Sequence, residues 1–338
     1  MSSMISDATR PYEGLRILDF TQVVAGPYAT LQFAMLGADV IKIERREGEF
    51  LRNLKVGDTP ESIEWHGRGL PARYQAVNGG KRSLTLDLQH PQAKEIVFRL
   101  AANADVVVEN FRPGIMDKLG IGYASLSEIN SNLIYCAISA LGQTGPYRSA
   151  PGFDGKIQAL SGIMALTGHP STGPTRTGFA LCDIIAGATA CFGIASALYR
   201  RDKRAGSQFI DVSMLEAALS FLTVEVAEAT LSRQRSKLYG NGTPTGIPTA
   251  DTFKTADGDI LLSVNFENQI AALMKSLDLE HLLEDSRFSN SDARLENASA
   301  LQQLIEEALQ HKSAIALSAA KSVRQPVTAR SGISAIAK

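Results

Sequence analysis

The alternation of strand and helix at the front of the chain limits what it can fold into more than any other feature. Leu15 to Phe20 alternates apolar and polar residues, and the chain then turns at Ala25-Gly26-Pro27. Tyr28 to Leu36 has helical spacing and stops at Gly37, and Asp39 to Glu44 reads as strand again. Strands joined through a helix pair in parallel, because antiparallel neighbours need only a short turn. The pattern recurs with Ser83 to Leu88, a helix opening at Pro91, and Asp105 to Glu109; Leu133 to Ser139 adds a further apolar strand. Such a chain is expected to form an α/β fold, a Rossmann-like parallel sheet covered on both faces. Its opening turn lacks the GxGxxG pattern, and Ala25-Gly26-Pro27 offers no glycine cradle for a pyrophosphate. Nicotinamide and flavin enzymes of that type are thereby excluded.

At 338 residues the chain exceeds the size at which one core usually divides. Its character changes after Ser220. Glu225 to Gln234 reads as a polar connecting helix, and Tyr239 to Pro248 is rich in breakers. A hairpin of Thr252 to Thr255 and Asp259 to Val264, turning at Asp257-Gly258, precedes amphipathic helices at Gln269 to Leu277 and Leu295 to Leu309. The expected organisation is a large Rossmann-like domain over 1–222, a linker and smaller α+β domain over 223–325, and a terminal segment over 326–338. Net charge of −1 with 20% charged residues gives no footprint for nucleic acid or a membrane surface. Cys136, Cys182 and Cys191 sit in apolar runs without CxxC or metal spacing, as reduced core thiols of a cytoplasmic protein do. No metal is expected. Met1 to Asp7 lacks the basic and apolar regions of a signal peptide, and the uncharged run 184–199 is short for a membrane span.

Within this frame one residue stands out. Asp183 is the only charge between Arg176 and Arg200, and the stretch from Ile184 to Leu198 is an uncharged, Ala/Gly-rich helix in pattern. A carboxylate there serves either as the helix N-cap or as a nucleophile in an apolar pocket. Cations next to strand ends, at Lys42, Arg45, Arg46, Lys81, Arg82, Arg112 and Lys118, would suit phosphate groups.

Short motifs in register resemble the family III CoA-transferases, the group that contains formyl-CoA transferase and carnitine CoA-transferase. They are Leu18-Asp-Phe-Thr21 with Ala25-Gly26-Pro27, Leu36-Gly-Ala-Asp-Val-Ile-Lys-Ile-Glu44, Asn78 with Lys81-Arg82-Ser83, Val108-Glu-Asn-Phe-Arg-Pro-Gly114, Gly152-Phe153-Asp154 and the Asp183 segment. The resemblance runs from Gly14 to about Leu301. It implies acyl-CoA and a small carboxylic acid as substrates, coenzyme A as substrate with no permanently bound cofactor, and a homodimer. Asp183 would carry the acyl group, and Val23, Arg45, Asn110, Phe111 and Lys118 would contact CoA, with Lys118 standing where that relative has arginine. Substrates would bind between two domains, with loop 240–246 able to close over them.

Two departures bear on the chemistry. Val24 replaces a glutamine of formyl-CoA transferase, which points to aliphatic or larger acyl groups over formyl and oxalyl. Phe153 stands where the related α-methylacyl-CoA racemases carry a proton-transferring histidine, so racemisation falls behind transfer. The nearest histidine, His169, lies in a Gly/Pro/Ser-rich loop. A third reading is a CoA-binding paralogue without turnover. The resemblance also implies interlocked subunits closed by a chain segment returning to the large domain. Because this chain stops near the start of that return, an incomplete interlock, exposed apolar surface and lower stability are expected.

An aspartate near its ordinary pKa of about 3.9 is an anion at neutral pH and needs no neighbouring base. As a mixed anhydride it would retain the energy of the thioester, provided water is kept out. Gly152, Gly155 and Gly178 are candidates for letting backbone N–H groups approach the oxyanion.

Overall fold

The computed structural model describes residues 10–54, 57, 59–234 and 237–313. Their contacts divide the chain into two compact units, 1–164 with 176–236 and 165–175 with 237–338. The division differs from the expected one in two ways. The connecting helix belongs with the large unit, which moves the boundary from 222 to 236, and the loop 165–175 leaves the large unit for the small one.

The large unit is built on β1 (Arg16–Asp19), β2 (Asp39–Glu44), β3 (Arg82–Thr85), β4 (Val106–Glu109), β5 (Ile134–Ser139) and β6 (Gln208–Ser213). Their order in the sheet is β3-β2-β1-β4-β5-β6, and every neighbouring pair is parallel. This is the doubly wound order, which reverses direction between β1 and β4. Successive residues face opposite sides and both sides are covered. Ile17, Val40, Val106, Val108, Ile134 and Cys136 pack on one face with residues of α1 (Ala25–Met35). Leu18, Ile43, Val107 and Tyr135 pack on the other with Val97 and Ala101 of α2 (Ala93–Ala101). Strands buried on both faces cannot alternate in polarity, which explains the unbroken Val-Val-Val of β4.

Three further helices complete the first face: α3 (Asp154–Ser161), α4 (Leu181–Lys203) and α5 (Met214–Phe221). The α4 helix has 23 residues and is long and apolar enough to cross a bilayer. In this unit it packs instead against α1, with Ala186, Gly187 and Ala190 buried. Gly187 is required there. A Cβ would stand 2.6 Å from the Ala25 carbonyl oxygen and 2.8 Å from the Tyr28 ring.

The end of β1 is fixed by a buried charge network. Asp19, fully buried, accepts from Lys81 Nζ at 3.0 Å and from Thr30 Oγ1 at 2.6 Å. Lys81 also donates to the Pro27 carbonyl and to Asn78 Oδ1, both at 2.9 Å. Burial acts to raise the pKa of Asp19, but Lys81 and Lys42, with hydrogen bonds from Thr21 and Thr30, outweigh it and hold the carboxyl well below the ordinary range. Lys42 and Lys81 are therefore internal ties and not the phosphate-facing cations expected of them. Arg82 pairs with Asp39 at the opposite end of the strands.

The small unit has its own core, in which the antiparallel strands Thr252–Thr255 and Gly258–Leu261 supply Phe253 and Ile260. Helices Glu267–Ser276 and Ala298–Leu309 supply Leu273, Met274, Leu301 and Ile305. The Arg294 guanidinium is buried and bonds the Phe288 carbonyl and Glu267. Loop 240–246 and the hairpin around His169 meet within this unit, through Gly240 N–H donating to the Gly168 carbonyl at 3.0 Å. Segment 326–338 lies outside the described residues.

Candidate active site

At the reversal point of the sheet, loop 21–24 leaves β1 and enters α1. It is held from several sides. Thr21 N and Oγ1 both donate to Asp19 Oδ1, at 2.8 and 2.5 Å, and Lys42 Nζ donates to the Thr21 carbonyl at 2.7 Å. Asn110, directly after β4, braces Gln22 twice: its Oδ1 accepts from Gln22 N and its Nδ2 donates to Gln22 O, each at 2.8 Å. Val23 N donates to Glu49 Oε2 at 3.2 Å. Val23 has φ +67°, a left-handed conformation that a β-branched residue adopts only when its surroundings over-determine it.

Asp183 is the third residue of α4 and not its N-cap, because the helix begins at Leu181 with Ala180 ahead of it. The capping carboxylate comes from elsewhere. Asp154, first residue of α3, accepts from Cys182 N at 2.7 Å and from Asp183 N at 3.4 Å through Oδ1. Gln158 fixes it in turn, donating to Asp154 Oδ2 at 2.6 Å while accepting from Thr177 N at 2.9 Å. Asp154 thus uses the positive end of α4, which would otherwise favour the Asp183 anion. Among the described residues, nothing donates a hydrogen bond to the Asp183 carboxylate. Burial first, and the charge of Asp154 second, push its pKa up to about 7. This corrects the expectation of a fully ionised carboxylate at neutral pH. The neighbouring thiol is no rival nucleophile, since burial pushes Cys182 up to about 12.

Asp183 opens into a cleft of about 420 Å³ at the ends of β4 and β5 and the start of α1. Of the expected CoA contacts, Val23, Asn110 and Phe111 line it. Arg45 does not. It donates to the Gly48 carbonyl at 3.0 Å and lines a separate cleft of about 290 Å³ with Arg46 and Arg52, beside the ends of β2 and β3. Lys118 is exposed and lines neither. Gly152 lines the first cleft, but Gly155 and Gly178 do not. Val24 and Phe153 line it too, the latter 76% exposed, and no histidine does among the described residues. His169 belongs to the small unit.

The cleft is also lined by Arg112, one of the strand-end cations expected to suit phosphate, and by Arg148 and Ser139, which nothing in the sequence singled out. Neither arginine makes an ion pair among the described residues. Beside them, burial pushes Glu109 up to about 8, and its carboxyl accepts from Phe111 N at 2.7 Å. The role of Asp154 had one local signal, its place in Gly152-Phe153-Asp154, but its partner lies 28 residues away.

The sheet is doubly wound, and a cleft at its reversal point holds a half-buried carboxylate to which no described residue donates a hydrogen bond. Residues 12–329 match the model of CoA-transferase family III, and the chain belongs to that enzyme family. It is 33% identical over 305 residues to succinyl-CoA:glutarate CoA-transferase of Mus musculus, covering 88% of this chain and 67% of that protein. It is 36% identical over 308 residues to acetyl-CoA:oxalate CoA-transferase of Acetobacter aceti, covering 90% of this chain and 76% of that one. The chain therefore spans about two thirds to three quarters of the length of these relatives. Its fold is similar to a crystal structure of a CAIB/BAIF family protein from Brucella suis, with TM-score 0.90 and 34% identity over 98% of this chain and 87% of that one.

Proposed function

We propose that the protein moves CoA from an acyl-CoA thioester to a free carboxylic acid, with Asp183 as the covalent carrier. The observation that carries this reading is the Asp183 carboxylate, free of hydrogen-bond donors and facing a cleft at the reversal point of the sheet. Its oxygen attacks the thioester carbonyl, the C–S bond breaks, and a mixed anhydride forms as CoA thiolate leaves. The thiolate then attacks the aspartyl carbonyl, which releases the donor acid and leaves an aspartyl-CoA thioester. The acceptor carboxylate repeats the sequence in reverse and Asp183 is restored, with no net proton and no ATP consumed. A raised pKa makes the carboxylate more basic and hence a better nucleophile once ionised.

The acids we propose are dicarboxylic. Arg112 and Arg148 bring two cations without carboxylate partners to a cleft that also holds apolar Val24 and Ile138. One end of a dicarboxylic acid would react while the other meets a guanidinium. The relatives named for glutarate and oxalate fit that class, and the aliphatic Val24 favours acyl groups longer than oxalyl. CoA enters as substrate, with its phosphates toward Arg45 and Arg46. We further place the protein in the cytoplasm, as a homodimer.

The test mixes purified protein with a panel of acyl-CoAs and dicarboxylic acids and follows the acyl group by mass spectrometry. Asp183→Ala and Asp183→Asn should lower transfer by about 10³-fold or more while CoA affinity stays within a few-fold. Hydroxylamine should mark Asp183 only after acyl-CoA is added. Substantial transfer by Asp183→Ala would exclude the covalent role.

A further inference from the structure

Ser139 ends β5, in register with Ser213 of β6. The five strand residues before it, Ile-Tyr-Cys-Ala-Ile, are all buried. Ser139 itself is 7% exposed, and its Oγ is buried without a hydrogen-bond partner among the described residues. Buried hydroxyls nearly always find a partner. One left unpaired lowers stability, and alanine would remove that penalty in the same space.

The position of this hydroxyl gives it a use. Ser139 lines the same cleft as Asp183, together with Val24 and Ala25. There α1, a helix of 11 residues, begins with no side-chain cap. Its first amides, at Ala25 and Gly26, are the donors an uncapped helix start leaves over. One buried hydroxyl and one uncapped helix start thus meet the cleft that holds the nucleophile. Both are donors, and among the described residues Asp183 is the only acidic one lining that cleft.

We propose that Ser139 is a catalytic residue whose hydroxyl, with the start of α1, receives the acyl carbonyl oxygen as it becomes an oxyanion. This rests on Asp183 being the nucleophile. When the Asp183 oxygen bonds to the acyl carbon, the carbonyl electron pair moves onto oxygen and is met by the Ser139 O–H. As the C–S bond breaks the pair returns and CoA thiolate departs. Ser139 keeps its proton throughout. The hydroxyl is covered in the free protein, so the side chain turns about its Cα–Cβ bond to meet the oxygen; a donor aimed at an oxyanion is typically worth about 10²–10³ in rate.

Single-turnover acylation, quenched with hydroxylamine to count acyl groups on Asp183, is compared for the parent, Ser139→Ala and Ser139→Thr. Ser139→Ala should acylate about 10²-fold more slowly, with CoA affinity unchanged. Its thermal midpoint without ligand should equal or exceed that of the parent, which no structural role of the hydroxyl would produce. Ser139→Thr, which keeps the hydroxyl, should recover most of the rate. A parent-like acylation rate in Ser139→Ala, or a clear drop in its midpoint, overturns the proposal. If the parent itself forms no hydroxylamine-sensitive adduct with any acyl-CoA, the nucleophile reading falls and takes this proposal with it. An adduct in the parent with no loss in Ser139→Ala removes this proposal alone.

Discussion

Two carboxylates share the start of one helix and have opposite duties. Asp154 spends its charge on the amides of Cys182 and Asp183, and Asp183 is left facing the cleft without a donor. Its pKa near 7 sets how acylation depends on pH. The rate should rise through about pH 7 as Asp183 ionises. Asp154→Asn keeps an oxygen for the amides but removes the neighbouring charge, so the acid limb should move to lower pH. An unmoved limb would show that Asp154 does not act on Asp183 through charge. Stability follows the same shift with the opposite benefit. Because the folded-state pKa lies above the ordinary 3.8, the contribution of the protonated form is complete below about pH 4. It is lost as pH rises through 7. Asp183→Asn should therefore melt above the parent at pH 8, with the gap narrowing toward pH 5. Thermal scans at both pH values decide the matter.

Among the elements, the turn from β1 into α1 depends most on its surroundings. Lys81 ties Asp19, Pro27 and Asn78 together, and removing it strands a buried carboxylate. Lys81→Met should destabilise the protein by about 3–5 kcal/mol. Denaturant unfolding gives the value directly, and a loss below about 1 kcal/mol would mean that water or a neighbour replaces the ammonium. The elements that could be read from the chain are β4 and β5, buried throughout, β1 and β2, buried over most of their length, the more exposed β3, foreseen as Ser83 to Leu88, and α1, which stops before Gly37. The sixth strand was not foreseen, because Gln208 to Ser213 lies at the sheet edge with Phe209 and Asp211 exposed, and its pattern is broken by polar residues. Helix Pro60–Gly67 buries no residue, which leaves no periodicity to detect. Asp183 was visible as a lone charge in an apolar stretch. Its true setting was not, because the cap comes from Asp154 and the raised pKa comes from burial, and neither is local in sequence. Lys42 and Lys81 were misplaced for a related reason. A lysine near a strand end looks the same in sequence whether it faces solvent or an internal aspartate.

Taken whole, the large unit leaves several big apolar side chains uncovered. Phe192 and Tyr199, seven residues apart on one side of α4, are 77% and 68% exposed. Val224 and Leu231 repeat that spacing on helix Thr223–Ser232, at 65% and 86%. Residues seven apart share a helix face, and apolar faces of this kind are usually covered by another chain. A second copy is the covering expected from the homodimer proposed above. Sedimentation at several concentrations should show a reversible dimer, and Phe192→Ser with Tyr199→Ser should weaken it by at least about tenfold without lowering the monomer's melting temperature. A parent protein that stays monomeric throughout would refute this.

The contact at Gly187 reaches further than packing. Helix α1 carries the loop that lines one side of the cleft at its start, and α4 carries Asp183 at its own. The two helices touch where a single hydrogen atom stands in place of a methyl group. That missing methyl acts as a spacer gauge between nucleophile and cleft wall. Gly187 does not line the cleft, yet any side chain there would force the helices apart and with them the two walls of the chamber. The reach of the reaction is thus fixed about one helical turn beyond the reacting carboxylate, where selection for one acid over another can act without altering a residue that the acid meets.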